Sequence, residues 1–161
     1  MIGHPTRFEQ RNEDYMRTLG LAEPTKARIR EKISLHKSLL GQTIKDIFVC
    51  NRLGEDGEWE LTNLWLFTTN VASEVENFET GSGVDFINHM RIEYAKFTAN
   101  HCDLITANKD SEVSLLLIHS FGRRQVILSA YGYNCMKLII LFKKYFSRHL
   151  APDGNVAGSR G

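Results

Sequence analysis

The fold of this chain is decided by residues 111–150, which read SEVSLLLIHS FGRRQVILSA YGYNCMKLII LFKKYFSRHL. Two β-rich runs, Val113–Ile118 and Gln125–Tyr131, are separated by a short glycine-containing connection, which is typical of a β-hairpin. From Cys135 to Leu150 apolar residues recur every three or four positions, which predicts a helix with one buried side. Asn134 precedes this segment and is predicted to be its N-cap. The sequence therefore predicts a hairpin closed by a C-terminal helix.

Composition limits the class of protein. A chain of 161 residues is long enough for one domain with a substantial core. Its 20 basic and 19 acidic residues give a net charge of +1, so bulk attraction to nucleic acid or to a membrane is not expected. The longest apolar run, Leu138–Phe142, is too short to span a bilayer. Three widely spaced cysteines indicate reduced thiols and predict a cytoplasmic protein.

Two helices are predicted at the N-terminus, over residues 1–41. Thr6 and Glu9 have the spacing of a capping box, which predicts a helix from there to Leu19. Its apolar stripe is narrow, so we expect this helix to lie on the surface or to dock onto a partner. A second helix is predicted over residues 25–40, after the interruption by Pro24.

The second helix has a predicted inner stripe and a basic outer face. The inner stripe comprises Ile29, Ile33, His36 and Leu40, and is widened by Leu35 and Leu39. Glycine at position 41 is expected to end the helix.

Strand patterns follow from residue 42 onwards. Runs of β-forming residues predict strands at Ile44–Val49, Trp59–Phe67 and Val71–Phe78, and the Asp56-Gly57 dipeptide predicts a tight turn between the first two. The third of these strands is expected to have one wet face. Two further strands are predicted within Val84–Asn100, with a bulge or bend near Ala95–Phe97.

Together these elements predict an α+β fold. About six or seven strands joined by hairpins are expected to form a strongly bent antiparallel sheet or partly open barrel, capped by the C-terminal helix and preceded by the two N-terminal helices. The β domain is predicted to span residues 42–150, and residues 151–161 are predicted to be a disordered tail.

The strand order and one corner of the sheet resemble a known superfold. The stretch Leu64-Trp65-Leu66-Phe67-Thr68-Thr69-Asn70, with the final hairpin and helix, is similar to bacterial members of the pleckstrin-homology-like superfold. The resemblance covers residues 42–150 and implies seven strands capped by a helix. In members that bind phosphoinositides the first hairpin loop is basic. Here that loop carries Glu55, Asp56 and Glu58, which argues against inositol-lipid binding.

A catalytic interpretation rests on four residues of the predicted β segments: His101, His119, Glu93 and Arg91. Two histidines with an arginine and a carboxylate have the chemistry of a general acid and base beside an anion clamp, as a small hydrolase or nuclease requires. No spacing places any two of them on one surface, so this is the alternative hypothesis. No metal or cofactor signature is present, and none is predicted.

Cationic residues in three places are the candidate binding groups: Arg123 and Arg124 in the last hairpin turn, Lys143 and Lys144 on the last helix, and Arg28 and Lys32 on the second helix. Solvation or helix stability explains each pair as well as a binding role does.

The leading hypothesis is a non-enzymatic adaptor domain that binds a protein or peptide, at a sheet edge or in a groove beside the last helix. A third hypothesis places an apolar ligand between sheet and helix, lined by Trp59, Trp65, Tyr94 and Phe142. Homodimerisation through the N-terminal helices is compatible with all three.

Overall fold

The computed structural model describes residues 4, 6–76, 78, 84–88, 91–100, 110–119 and 124–147. Within them the chain forms three α-helices, a π-helical turn and seven strands. Their bounds in chain order are α1 Arg7–Thr18, α2 Glu23–Leu40, β1 Asp46–Leu53, β2 Trp59–Phe67, β3 Val71–Glu76, β4 Val84–Asn88, β5 Ile92–Asn100, β6 Glu112–His119, β7 Gln125–Tyr131, α3 Asn134–Leu141 and the π-turn Phe142–Phe146. The predicted α+β class is confirmed, with two helices before the strands and one after them.

The strands form two sheets. One contains four strands in the order β1-β2-β3-β4, and the other contains three in the order β5-β6-β7. The ladders β2/β3, β5/β6 and β6/β7 are antiparallel, as expected for strands joined by short connections. The sequence predicted one bent sheet or partly open barrel, whereas the hydrogen bonds of the described residues form two sheets and no closed barrel.

The chain divides into two compact units, and each is made of two segments. The first unit comprises Met1–Val49 and Thr62–Phe86, and the second comprises Cys50–Leu61 and Ile87–Gly161. Both helices α1 and α2 belong to the first unit. The second unit contains β5, β6, β7, α3 and the end of β1.

Helix α1 packs into the core of the first unit. The predicted capping box is present, because the Thr6 hydroxyl accepts from the amide of Glu9 and the Glu9 carboxylate accepts from the amide of Thr6. Met16 is fully buried, and the Tyr15 hydroxyl accepts a hydrogen bond of 3.1 Å from the amide of Val49. The narrow apolar stripe of α1 therefore packs inside the first unit. The sequence had predicted that this helix would lie on the surface or dock onto a partner.

Helix α2 starts two residues earlier than predicted. Pro24 lies in its first turn, where a missing N–H costs nothing, so it does not interrupt the helix. Gly41 ends the helix with a φ of 63°, as predicted. Ile29 and His36 are buried, but Leu35 and Leu39 are 44% and 62% exposed and do not widen the inner stripe.

Two strands of the larger sheet differ from their predictions. Strand β1 begins at Asp46 and continues to Leu53, and its first six residues are all buried. The four central residues of β3 are also buried, so the predicted wet face is wrong. Glu74 is part of this buried stretch, and its carboxylate accepts a hydrogen bond of 2.8 Å from the side-chain amide of Asn63.

The final hairpin is formed as predicted, by β6 and β7 in regular antiparallel register. In β5 the register shifts between Ile92 and Tyr94, so the bulge lies at Glu93 and not near residues 95–97. The inner face of the three-stranded sheet packs against the C-terminal helical segment, where the rings of Phe97 and Phe142 meet edge to face at 4.7 Å between centroids.

Candidate functional site beside the last strand

The register of β6 and β7 fixes which backbone groups of β7 point away from the sheet. The His119 amide donates to the Arg124 carbonyl at 2.8 Å, and the Gly132 amide donates to the Ser111 carbonyl at 2.6 Å. Hydrogen-bonded pairs alternate with non-bonded pairs along an antiparallel ladder. The backbone groups of alternate β7 residues, from Gln125 to Tyr131, therefore face the outer edge of the sheet.

The side chain of Asn51 lies at this outer edge, where it bonds to the backbone of Tyr131. Its side-chain oxygen accepts from the Tyr131 amide at 2.9 Å, and its side-chain nitrogen donates to the Tyr131 carbonyl at 3.3 Å. One carboxamide thus provides the donor and the acceptor that a neighbouring strand would otherwise supply. Asn51 is only 1% exposed, whereas Tyr131 is half-buried, so both bonds are partly shielded from water.

Asn134 completes this polar cluster. Its side-chain nitrogen donates to the same Asn51 oxygen at 2.9 Å. The predicted N-cap role is wrong, since Asn134 is the first residue of α3 and its side chain bonds to β1. The buried pair of asparagines joins the end of β1, the end of β7 and the start of α3.

The remainder of the β7 edge has no partner among the described residues. Gln125, Ile127 and Ser129 have outward backbone groups for which no hydrogen bond is described. Side chains on this strand carry no charge, and Ile127 is 57% exposed. Natural sheets usually protect an edge with charges or bulges. Strand β5, at the other edge, has both protections, in Lys96 and in the bulge at Glu93.

A cleft of about 710 Å³ adjoins the C-terminal end of β7. It is lined by Asn51, Arg52, Leu53, Asp110, Glu112, Ser129, Ala130 and Tyr131. Ser129 lies on the unpaired edge of β7 and also lines the cleft, so the edge continues into the cleft. Binding pockets for ligands are typically about 300–1,000 Å³, and this cleft lies within that range.

A second cleft, of about 500 Å³, shares Arg52 and Leu53 with the first. Its other lining residues are Gly54, Glu55, Asp56 and Glu60, which come from the β1–β2 hairpin. Here the predicted Asp56-Gly57 turn is formed, and Gly57 has a φ of 82°. Arg52 is paired with Glu60 at 2.9 Å, so the guanidinium in the two clefts is largely neutralised.

The resolved pKa shifts belong to residues of the first unit. The Arg30 guanidinium donates two hydrogen bonds of 2.8 Å to the Glu13 carboxylate and lowers the pKa of that carboxyl. Desolvation, with a smaller contribution from the charge of Lys32, lowers the pKa of His36. Both ring nitrogens of His36 are buried without a hydrogen-bond partner among the described residues.

The predicted catalytic residues are only partly described. His101 lies outside the described residues. His119 is half-buried at the end of β6, opposite Ile92, whereas Arg91 and Glu93 are exposed. Three of the four residues are thus near one end of the β5/β6 pair, and the hydrolase interpretation stays a prediction.

The predicted cationic groups belong to both units. Arg28 and Lys32 are on α2 in the first unit, and Lys143 and Lys144 are exposed on the π-turn in the second. Arg124 is exposed, and Arg123 lies outside the described residues. Their binding role stays a prediction, as does homodimerisation through helices α1 and α2.

Two further expectations concern a metal and an apolar ligand. In the described part of the chain, no group of three or more metal-ligating side chains is found. Tyr94 and Phe142 lie on opposite faces of the three-stranded sheet, because Phe142 contacts Phe97 and the register between Tyr94 and Phe97 is regular. These two aromatic residues therefore do not line one cavity.

No helix among the described residues is long and apolar enough to cross a membrane.

The residues that build this site were not predicted from the sequence. Asn51 follows four apolar residues of β1, at a position where asparagine is disfavoured in a strand. That mismatch was the available signal that its side chain has a specific partner. The absence of charge in β7 was a second signal, since it distinguishes this edge from β5.

Comparison with known proteins identifies no family. No family model matches the chain, and no curated protein matches it. Among solved structures, the chain is similar to the C-terminal domain of an unknown protein from Leishmania infantum, with 12% sequence identity and a TM-score of 0.45. The match covers 75% of this chain and 97% of that domain. A likeness at this TM-score carries no argument about fold or function.

Proposed function

We propose that this α+β chain is a non-enzymatic binding domain that recognises an extended segment of another protein by adding it as a strand beside β7. The observation that carries the proposal is the unprotected edge at Gln125, Ile127 and Ser129, which leads into the 710 Å³ cleft. Each of these residues offers one N–H and one C=O, so an added strand gains a ladder of backbone hydrogen bonds.

The outer face of the sheet supports the same function. Ile127 is the cross-strand partner of Leu116, and the two provide apolar contact for side chains of an added strand. Asn51 already forms strand-like bonds with Tyr131, so the edge beyond Asn51 is the part left for a partner.

We also propose that the β region belongs to the pleckstrin-homology-like superfold. The resemblance implies seven strands followed by a helix, and seven strands followed by α3 support the proposal. The acidic β1–β2 hairpin, with Glu55, Asp56 and Glu58, favours a protein partner over an inositol lipid.

The edge can be tested with a proline that removes one outward N–H. In Ile127→Pro the lost donor does not belong to the β6/β7 ladder, so the fold should persist. The matched control is Ala99→Pro, because alternation in the β5/β6 ladder also directs the Ala99 amide outward. Ile127→Lys provides a second edge variant if the proline variant does not fold.

The assay starts with peptides selected against the intact chain from a library of random linear peptides. We expect the Ile127→Pro and Ile127→Lys variants to lose binding of the selected peptides, and the Ala99→Pro variant to retain it. Peptide binding should slow hydrogen exchange at the amides of Ile127 and Ser129. Failure to select a peptide, or peptides that bind both edge variants normally, would overturn the proposal.

A further inference from the structure

The two clefts beside β7 have a composition that differs from that of the whole chain. Although the chain is almost neutral, the charged groups among the described residues that line the clefts are five carboxylates and one guanidinium: Glu55, Asp56, Glu60, Asp110 and Glu112, with Arg52. The guanidinium is already paired with Glu60. The described lining residues therefore carry more negative than positive charge.

This charge has a consequence for any strand that pairs with β7. A segment that extends past Ser129 reaches the first cleft, whose lining includes Glu112, and this cleft shares Arg52 and Leu53 with the second cleft, whose lining includes Glu55. An acidic segment would be repelled at both places, whereas lysine or arginine side chains would be attracted. A second copy of this chain would place its own uncharged β7, and with it the same acidic clefts, against this surface.

We infer that the partner is an extended segment with basic residues at the end that lies in the acidic clefts. The inference rests on the proposed strand addition at β7 and adds the chemistry of the partner. Backbone hydrogen bonds along Gln125, Ile127 and Ser129 supply affinity without sequence preference. Charge in the clefts selects which segment binds and in which direction it runs.

The test uses three synthetic peptides with the same alternating Thr-Val core. They differ only in three flanking residues, which are all Lys, all Gln or all Glu. We expect the Lys peptide to bind the full chain about tenfold more tightly than the Gln peptide, and the Glu peptide to bind more weakly than both. The preference should shrink at high salt, because screening weakens attraction between exposed charges.

Charge-neutralised variants locate the selectivity. Glu55→Gln combined with Glu112→Gln should remove most of the preference for the Lys peptide over the Gln peptide. The matched control is Glu31→Gln, at an exposed position on α2 in the first unit. It should not change the affinity for the Lys peptide or for the Gln peptide.

The outcomes separate the two proposals. Equal binding of the Lys and Gln peptides, both lost in Ile127→Pro, overturns the basic partner and leaves strand addition standing. Binding of the Lys peptide that is unaffected by Ile127→Pro overturns strand addition and the inference with it. Association of the chain with itself through β7, detected by sedimentation and lost in Ile127→Pro, overturns the choice of a basic partner over a second copy.

Discussion

The side-chain amide of Asn51 bonds both outward backbone groups of Tyr131, a residue 80 positions later in the chain. The orientation of the carboxamide is set by this pair, because an amide N–H only donates and a carbonyl only accepts. Asn51 thereby ends the unpaired part of the β7 edge, so backbone pairing with a partner strand is expected to end at Ser129.

We expect Asn51→Ala to lower the free energy of unfolding by about 3 kcal/mol. The substitution removes three hydrogen bonds, two to the backbone of Tyr131 and one to the side-chain nitrogen of Asn134, in a partly buried site. Urea unfolding checks the value. The exposed Asn70→Ala variant is the control and should stay within about 0.5 kcal/mol of the parent chain. A loss below about 1 kcal/mol for Asn51→Ala would show that water replaces these bonds.

The bond between the two asparagines can be measured separately. A double-mutant cycle with Asn51→Ala and Asn134→Ala should give a coupling energy of about 1 kcal/mol, since the residues share one hydrogen bond of 2.9 Å. Additive effects of the two substitutions would mean that Asn134 contributes through the start of α3 and not through Asn51.

Burial of His36 should make the chain sensitive to mild acid. Desolvation lowers the pKa of His36 in the folded state from its ordinary value of 6.5, so below pH 6.5 the unfolded state binds more protons. The stability associated with the neutral ring is complete above pH 6.5, and it declines as the pH falls toward the folded-state pKa. Lys32 acts in the same direction as desolvation.

The measurement compares His36→Leu with the parent chain in urea titrations from pH 5 to pH 7.5. We expect the variant to gain about 1 kcal/mol at pH 7.5, because two buried ring nitrogens without partners are removed, and to gain more as the pH falls. His4→Gln, at an exposed position, should keep the pH dependence of the parent. A His36→Leu curve parallel to the parent curve would contradict this explanation.

The pair between Glu13 and Arg30 should contribute modestly, because both side chains are more than a third exposed to solvent. Arg30 lowers the pKa of Glu13 below 4.5. The contribution of the pair to folding stability is therefore present above pH 4.5, and it is lost as the pH falls through the pKa of Glu13 in the folded state.

Glu13→Gln should therefore cost about 0.5 kcal/mol at pH 7. The difference from the parent chain should vanish when Glu13 is protonated in both states, and should shrink in high salt. Glu31→Gln serves as the control on α2. If the two variants are equally stable at pH 7, the pair contributes nothing measurable.

Features that depend on near neighbours in the chain could be predicted from the sequence. The capping box needs only Thr6 and Glu9, and both of its hydrogen bonds are present. The β6/β7 hairpin needs only two apolar runs and a short connection, and its strand bounds agree with the prediction to within a residue. The antiparallel α+β class follows from the same local patterns.

Features that depend on distant contacts could not be predicted. Periodicity predicts an inner stripe for α2, but only tertiary packing decides that Leu35 and Leu39 remain exposed. The candidate site depends on Asn51 meeting a strand far along the chain. A sequence pattern shows that asparagine is unusual within a strand, but it does not identify the partner.

The two compact units have a consequence for synthesis of the chain. The chain leaves the first unit after residue 49, returns to it at residue 62, and leaves it again after residue 86. On the ribosome, the first unit is therefore incomplete until residue 86 has emerged. Residues 50–61 are made early, but their unit is completed only by the segment that begins at residue 87. Neither unit is a contiguous stretch, so a single truncation cannot isolate either of them.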